Sequence, residues 1–206
     1  MQLLNKAEIR RRLSLTNEKG LFIEPLLESS QLGEVTVDLR LGYDFLVPIL
    51  TRKPFISVVE KDQNFRGVES YYRSTRREIG DRFVLYPQQV VLTTSLEYVG
   101  LPADVYADLL PRSSYARLGM SFGTMMQPGY RGCFPLELSN TSNNPLELVV
   151  GSRIVQARFF NIEFPSEYNG QDEPRKYLGN TRPVVSKAAH DGDLFRLHAI
   201  ALKRNT

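Results

Sequence analysis

At 206 residues, 42% hydrophobic and 24% charged, the chain has the length and composition of one globular domain, or at most two small ones, which excludes a disordered chain. No fixed-period repeat is visible and the longest apolar runs, such as residues 45–50, are too short to span a bilayer, so repeat arrays and membrane spans are not expected. The net charge of +3 is mild, and the basic clusters at residues 10–12 and 73–77 each read as a solvated face rather than a nucleic-acid groove.

Asn5 followed by Glu8 has the form of a capping box opening a short helix within residues 1–20, with Ile9 and Leu13 on its inner face. No apolar stretch follows its basic residues, so a secretory leader is not expected. Residues 35–41 alternate, placing Val35, Val37, Leu39 and Leu41 on one face of a strand and Asp38 and Arg40 on the other, until Gly42 ends it. Residues 54–80 are polar and charged without a clear period and read as an insertion or a long hairpin. Short strands are expected at 83–86, 90–93, 105–110, 134–138, 146–150 and 154–160. Turn formers such as Pro87, Pro102, Pro111, Pro128-Gly129, Asn143-Asn144-Pro145 and Gly151 separate them at the spacing of a sandwich or barrel. Residues 166–188 hold few core formers and read as a mobile tail, or as an arm that orders on a ligand or a neighbouring subunit. Residues 194–200 return to the alternation of a strand and are expected to rejoin the body. The whole reads as a single, mainly β domain over residues 1–206.

Cys133 is the single cysteine, which excludes an internal disulfide and fits the reducing interior of a cell; a soluble cytoplasmic protein is expected. With only His190 and His198 beside it, the chain lacks the ligands of a structural or catalytic zinc site, and no zinc is expected.

The densest polar constellation is Pro111-Arg112-Ser113-Ser114-Tyr115-Ala116-Arg117-Leu118-Gly119. Two hydroxyls after an arginine, just past a strand, suit a phosphate with Arg112 as its bidentate partner, although a capped turn with solvated arginines is the more common reading of such a pair taken alone. A tight turn follows at Gln127-Pro128-Gly129-Tyr130-Arg131-Gly132, and then Glu137 lies between Leu136 and Leu138 on a strand. From spacing alone Glu137 faces solvent; in a site, desolvation is what brings a carboxyl toward the neutrality that general acid/base work requires. Gln156, on the strand after Gly151-Ser152-Arg153, is a weak candidate by itself.

Together, Val37-Asp38-Leu39-Arg40-Leu41-Gly42, the 111–119 stretch, the 128–132 turn, Leu136-Glu137-Leu138-Ser139-Asn140 and residues 151–156 stand in an order that resembles the dCTP deaminases and the related trimeric dUTPases. Phe22-Ile23-Glu24-Pro25, residues 96–99 with Leu101-Pro102, and Lys176-Tyr177 extend the likeness over most of the chain. The resemblance implies a distorted, jelly-roll-like β-barrel of dUTPase type with a short N-terminal helix and a polar C-terminal arm. In such deaminases a glutamate on this strand is the acid/base, whereas the dUTPases rely on an aspartate just before the turn, where Gln127 stands here. The likeness therefore favours a hydrolase that deaminates dCTP to dUTP and ammonia without zinc, whose usual ligand motifs this chain lacks.

The roles that the resemblance implies fall on particular residues. Glu137 activates the attacking water, Ser113 orients that water and Arg117 holds Glu137. Arg112, Ser114 and Gln156 bind the triphosphate, with magnesium bridging its oxygens. Tyr130 packs against the deoxyribose, Gln127 stands where the family contacts the sugar, and Lys176, Tyr177 and Asn180 close over the nucleotide. A homotrimer with sites shared between subunits is implied as well. Three departures from the family mark this chain: the loop between Arg117 and Glu137 is about three residues shorter than the usual deaminase loop, with Gly123-Thr124-Met125-Met126 in its place, Gln127 replaces an aspartate that contacts the sugar 3′-hydroxyl, and Asn180 replaces a glutamine. They leave two alternatives open: a non-catalytic nucleotide-binding or regulatory member, and a dUTP pyrophosphatase or bifunctional dUMP-forming enzyme.

Overall fold

The chain enters on a two-residue strand, β1 (Gln2–Leu3), and turns into α1 (Lys6–Leu13). In the computed structural model, residues 1–53, 55–59, 67–166 and 176–204 are described. Asn5 Oδ1 accepts the Glu8 N–H at 2.9 Å and caps the helix. The reciprocal half of the capping box is replaced by ion pairs from the Glu8 carboxylate to Arg11 and Arg12. Ile9 is buried and Leu13 packs against the core.

The strands that follow are β2 (Phe22–Glu24), β3 (Val37–Arg40), β4 (Asp44–Pro48), β5 (Tyr72–Arg76), β6 (Arg82–Leu85), β7 (Val90–Gly100) and β8 (Val105–Pro111). After the single turn α2 (Ser113–Ala116) come β9 (Met120–Ser121), β10 (Thr124–Met126), β11 (Arg131–Asn140), β12 (Leu146–Val149) and β13 (Arg153–Asn161); α3 (Gly192–Arg204) comes last. One sheet runs β1-β13-β8-β10 with β3 also on β13, the second runs β5-β4-β7-β11-β9 with β2 also on β7, and β12 pairs with β6. All of these pairings are antiparallel.

Alternation explains the core. Leu39, Ala107, Leu109, Ala157 and Phe159 of the first sheet join Phe45, Val91, Val99, Leu136 and Leu138 of the second in one buried cluster. Each large apolar side chain buried there contributes about 1.5–3 kcal/mol. Val35, expected on the inner face, is 39% exposed because pairing of that strand begins only at Val37.

Of the 54–80 region, read as an insertion or a long hairpin, residues 72–76 form β5, which pairs with β4 from Asp44↔Arg76 to Pro48↔Tyr72 as one arm of a hairpin; residues 54 and 60–66 lie outside the described residues. Other expectations are corrected. Residues 194–200 are helical within α3, not a strand, and Leu197 and Ile200 stay exposed. Its run of Leu, Ala, Arg and Lys favours a helix, and Asp193 in the first turn complements the helix dipole. Of the supposedly solvated arginines, Arg12 is buried. Its guanidinium forks onto both Asp104 carboxylate oxygens at 2.8 Å and reaches Asn161 Oδ1 at 2.7 Å. Of the expected arm at 166–188, residues 167–175 lie outside the described residues, and residues 176–187 fold onto β11 with Val185 buried.

Candidate active site

β7 and β11 are neighbours in the second sheet, and their outward residues carry the site. Glu137 lies opposite Leu92, and Leu92 opposite Leu46 of β4, so one row of side chains crosses three strands on the face turned from the core. Pro135 and Thr94 form the next row. Over this face lies a cavity of about 280 Å³, lined by Tyr72, Leu92, Thr94, Tyr130, Cys133 and Glu137 on the barrel side and by Tyr177, Asn180 and Arg182 on the arm side.

Gly132 lets the arm come this close. Its φ is +144°, and a Cβ there would stand 2.7 Å from the Asn180 carbonyl oxygen and 2.9 Å from Tyr130 Oη. Hydrogen bonds flank the glycine: Gly179 N–H donates to the Arg131 carbonyl at 2.7 Å, and Cys133 N–H donates to the Asn180 carbonyl at 2.9 Å. Tyr130 Oη donates to the Cys133 carbonyl at 2.8 Å, which fixes the buried ring beneath the arm. Farther along, Arg182 Nε lies 3.5 Å from Asp44 Oδ2, while Lys176 pairs with Asp191 and Tyr177 Oη accepts the Lys187 N–H at 3.0 Å.

Four of the expected site residues, Glu137, Tyr130, Tyr177 and Asn180, thus meet at one cavity. A second group assembles elsewhere. Arg112 Nε is 3.2 Å from Asp38 Oδ2 and its Nη1 donates to the Arg153 carbonyl at 3.2 Å. Gln156 lies between Asp38 and Leu110 in the ladder, so Arg112, Gln156 and Asp38 share one surface. Ser113, Ser114 and Arg117 on and just after α2 are exposed, and their side chains make no hydrogen bond or ion pair among the described residues. Neither Ser113 nor Arg117 lines the Glu137 cavity, so a single chain does not join them to it. Gln127 is exposed at a separate recess of about 420 Å³ beside Tyr106 and Asp108.

Sequence reasoning missed Thr124, whose Oγ1 donates to Glu137 Oε2 at 2.8 Å. It also missed Tyr72, Arg182 and the buried Glu97. The Glu97 carboxylate accepts from Gln31 Nε2 at 3.0 Å and from the Arg40 N–H at 2.8 Å. Burial outweighs these bonds and raises its pKa to about 7. Burial, with the Glu97 charge adding to it, pushes the Cys133 thiol up to about 11, so Cys133 lines the cavity as an unreactive apolar wall. An acid in an alternating strand was the visible signal for Glu97; nothing local marked the others.

Among solved structures, 2′-deoxycytidine 5′-triphosphate deaminase from Agrobacterium tumefaciens is similar, with a TM-score of 0.56 and 24% identity over 77% of this chain and 48% of that one. This chain spans about half of that chain's length, and the likeness is one of fold. The architecture is therefore a mainly β fold of the kind seen in that structure. A family model described as dCTP deaminase-like matches residues 3–162. A dCTP deaminase of Natronomonas pharaonis is 38% identical over 92% of this chain and 96% of its own length. A dUMP-forming dCTP deaminase of Methanosphaera stadtmanae is 34% identical over 94% and 98%. The chain belongs to the dCTP deaminase family. No helix among the described residues is long and apolar enough to cross a membrane.

Proposed function

We propose that this chain deaminates dCTP to dUTP and ammonia with Glu137 as general acid/base. The observation that carries the reading is the Glu137 carboxylate at a roofed cavity of about 280 Å³ in a chain of this family. Small-molecule sites run from about 300 to 1,000 Å³, so this cavity suits a pyrimidine and its sugar with the phosphates outside.

Glu137 takes a proton from water as the water oxygen bonds to C4. Glu137 passes that proton to N3, takes the second one from the new C4 hydroxyl, and delivers it to the leaving amine as the C4–N4 bond breaks. The two protons of the water thus end on N3 and on ammonia. Ser113 orients the water and Arg117 pairs with Glu137, both supplied by a neighbouring copy in a homotrimer. Their side chains, exposed and without a partner among the described residues, support that arrangement. Arg112, Ser114 and Gln156 receive the triphosphate, Tyr130 supports the deoxyribose, Gln127 stands toward the sugar, and Lys176, Tyr177 and Asn180 close the arm. Magnesium enters as part of the substrate, bound to the triphosphate, whose several anionic oxygens need neutralising.

A second reading, release of dUMP, draws support from the dUMP-forming relative of M. stadtmanae; the neutral Gln127 speaks for dUTP. Incubation with dCTP and magnesium, with nucleotides separated by ion exchange and ammonia assayed in parallel, tests both. Release of dUTP supports the first reading, dUMP moves it to the second, and intact dCTP overturns both. Glu137→Gln is expected to lower turnover by about a hundredfold or more while keeping nucleotide binding. Substantial residual turnover in that variant would remove Glu137 from its role.

A further inference from the structure

β10 and β11 belong to different sheets, for β10 pairs with β8 in the first and β11 with β7 in the second. Thr124 bridges them, its Oγ1 donating to Glu137 Oε2 at 2.8 Å. Both partners are held by their own ladders, Thr124 opposite Leu109 and Glu137 opposite Leu92. The donor is therefore fixed by one sheet and the acceptor by the other. No other hydrogen bond or ion pair reaches the Glu137 carboxylate among the described residues, and Glu137 is exposed, so within the chain Thr124 alone orients its long side chain; the Arg117 proposed to pair with it comes from a neighbouring copy.

We propose that Thr124 is a positioning residue for Glu137, tying down Oε2 so that Oε1 remains for the proton of the attacking water. The inference rests on the acid/base role proposed for Glu137. Fixing one oxygen places the other before the substrate arrives, and such placement lowers the entropic part of a barrier. A hydroxyl also donates more strongly to a charged oxygen than to a neutral acid, so the bond that orients the base favours return of the proton to the leaving amine. Thr124 stands in the shortened loop between Arg117 and Glu137, where residues of both sheets come within hydrogen-bonding reach.

Thr124→Val keeps the branched shape and loses the hydroxyl, whereas Thr124→Ser keeps the hydroxyl. With dCTP and magnesium, T124V is expected to lower kcat about tenfold or more with KM changed less than about threefold, and T124S to recover most of the rate. In parallel, ¹³C relaxation of glutamate-labelled protein, with the Glu137 signal assigned through E137Q, reads side-chain order without turnover. Glu137 is expected to be ordered in the wild type and T124S and mobile in T124V. Equal order in all three overturns the proposal, as does equal loss of rate in T124V and T124S. A wild type that is ordered at Glu137 but releases no ammonia overturns the acid/base reading, and with it the catalytic purpose assigned here to Thr124.

Discussion

Asp38 and Arg112 meet at 3.2 Å on the surface where Asp38 opposes Gln156 in the β3–β13 ladder. The carboxylate takes one edge of the guanidinium and the Arg153 carbonyl takes another hydrogen, so little freedom is left to Arg112. Asp38→Ala should let the guanidinium swing away and raise the Kd of magnesium-bound dCTP about three- to tenfold, read by calorimetry. Tighter binding would show instead that Asp38 competes with the phosphate for the same arginine.

Arg12, itself buried, joins α1 to Asp104 and Asn161 through part-buried hydrogen bonds. Arg12→Met leaves Asp104 without its charged partner, and a loss of about 1.5–3 kcal/mol in urea unfolding is expected. A loss below about 1 kcal/mol would mean that water reaches the pair freely.

The same network sets acid stability. Hydrogen bonding to Arg11 holds Glu8 at about 2, against the opposing effect of burial, and Arg12 lowers Asp104. A depressed carboxylate stabilises the fold above its unfolded value and loses that contribution as pH falls through the folded one. Stability should therefore decline as pH drops from about 4.5 toward 2, and Arg12→Met should flatten that limb.

Glu97 acts in the opposite direction and in another window. Burial raises it to about 7, so the folded state holds its proton after the unfolded chain has released it. Stability then falls as pH rises from about 4.5 to 7, by an amount on the order of 3 kcal/mol, and changes no further above that. Glu97→Gln should abolish this slope in denaturant melts across the range. An unchanged slope would assign it to another group.

Gly132 supports the arm by lacking a side chain. Gly132→Ala places a methyl group against the Asn180 carbonyl at a φ of +144°, so the arm must lift or the strand distort. A cost of about 1–3 kcal/mol and faster protease cleavage within residues 176–187 are expected. Wild-type protection in the alanine variant would show that the arm is held elsewhere.

The proposed sharing of sites between subunits has a signature of its own. Glu137→Gln and Arg117→Ala should each be inactive alone. Unfolded together and refolded as mixed trimers, they should regain about a quarter of wild-type activity, because random assembly leaves that share of sites with both native residues. Mixtures as inactive as their parents would place both groups in one chain.

The strands at 105–110, 134–138 and 154–160 were legible because each alternates on its own, with one face in the core. So was the N-terminal cap, where Asn5 and Glu8 lie within one turn. β5 was not, because as an edge strand it exposes most of its residues and shows no period. α3 was misjudged because a short apolar alternation suits a helix face almost as well as a strand. Arg12 looked solvated because its partner Asp104 is 92 positions away.

The order of the motifs, readable from the sequence alone, indicated the family and singled out Glu137, Arg112, Tyr130 and Tyr177. Tertiary structure decided which of these meet: it set Glu137 with Tyr130, Tyr177 and Asn180, left Ser113 and Arg117 apart from that cavity, and brought Thr124 to Glu137. Strand pattern and motif order are local, recorded in neighbouring residues. A contact between two sheets depends on the register of several ladders at once, and no single stretch of sequence contains that sum.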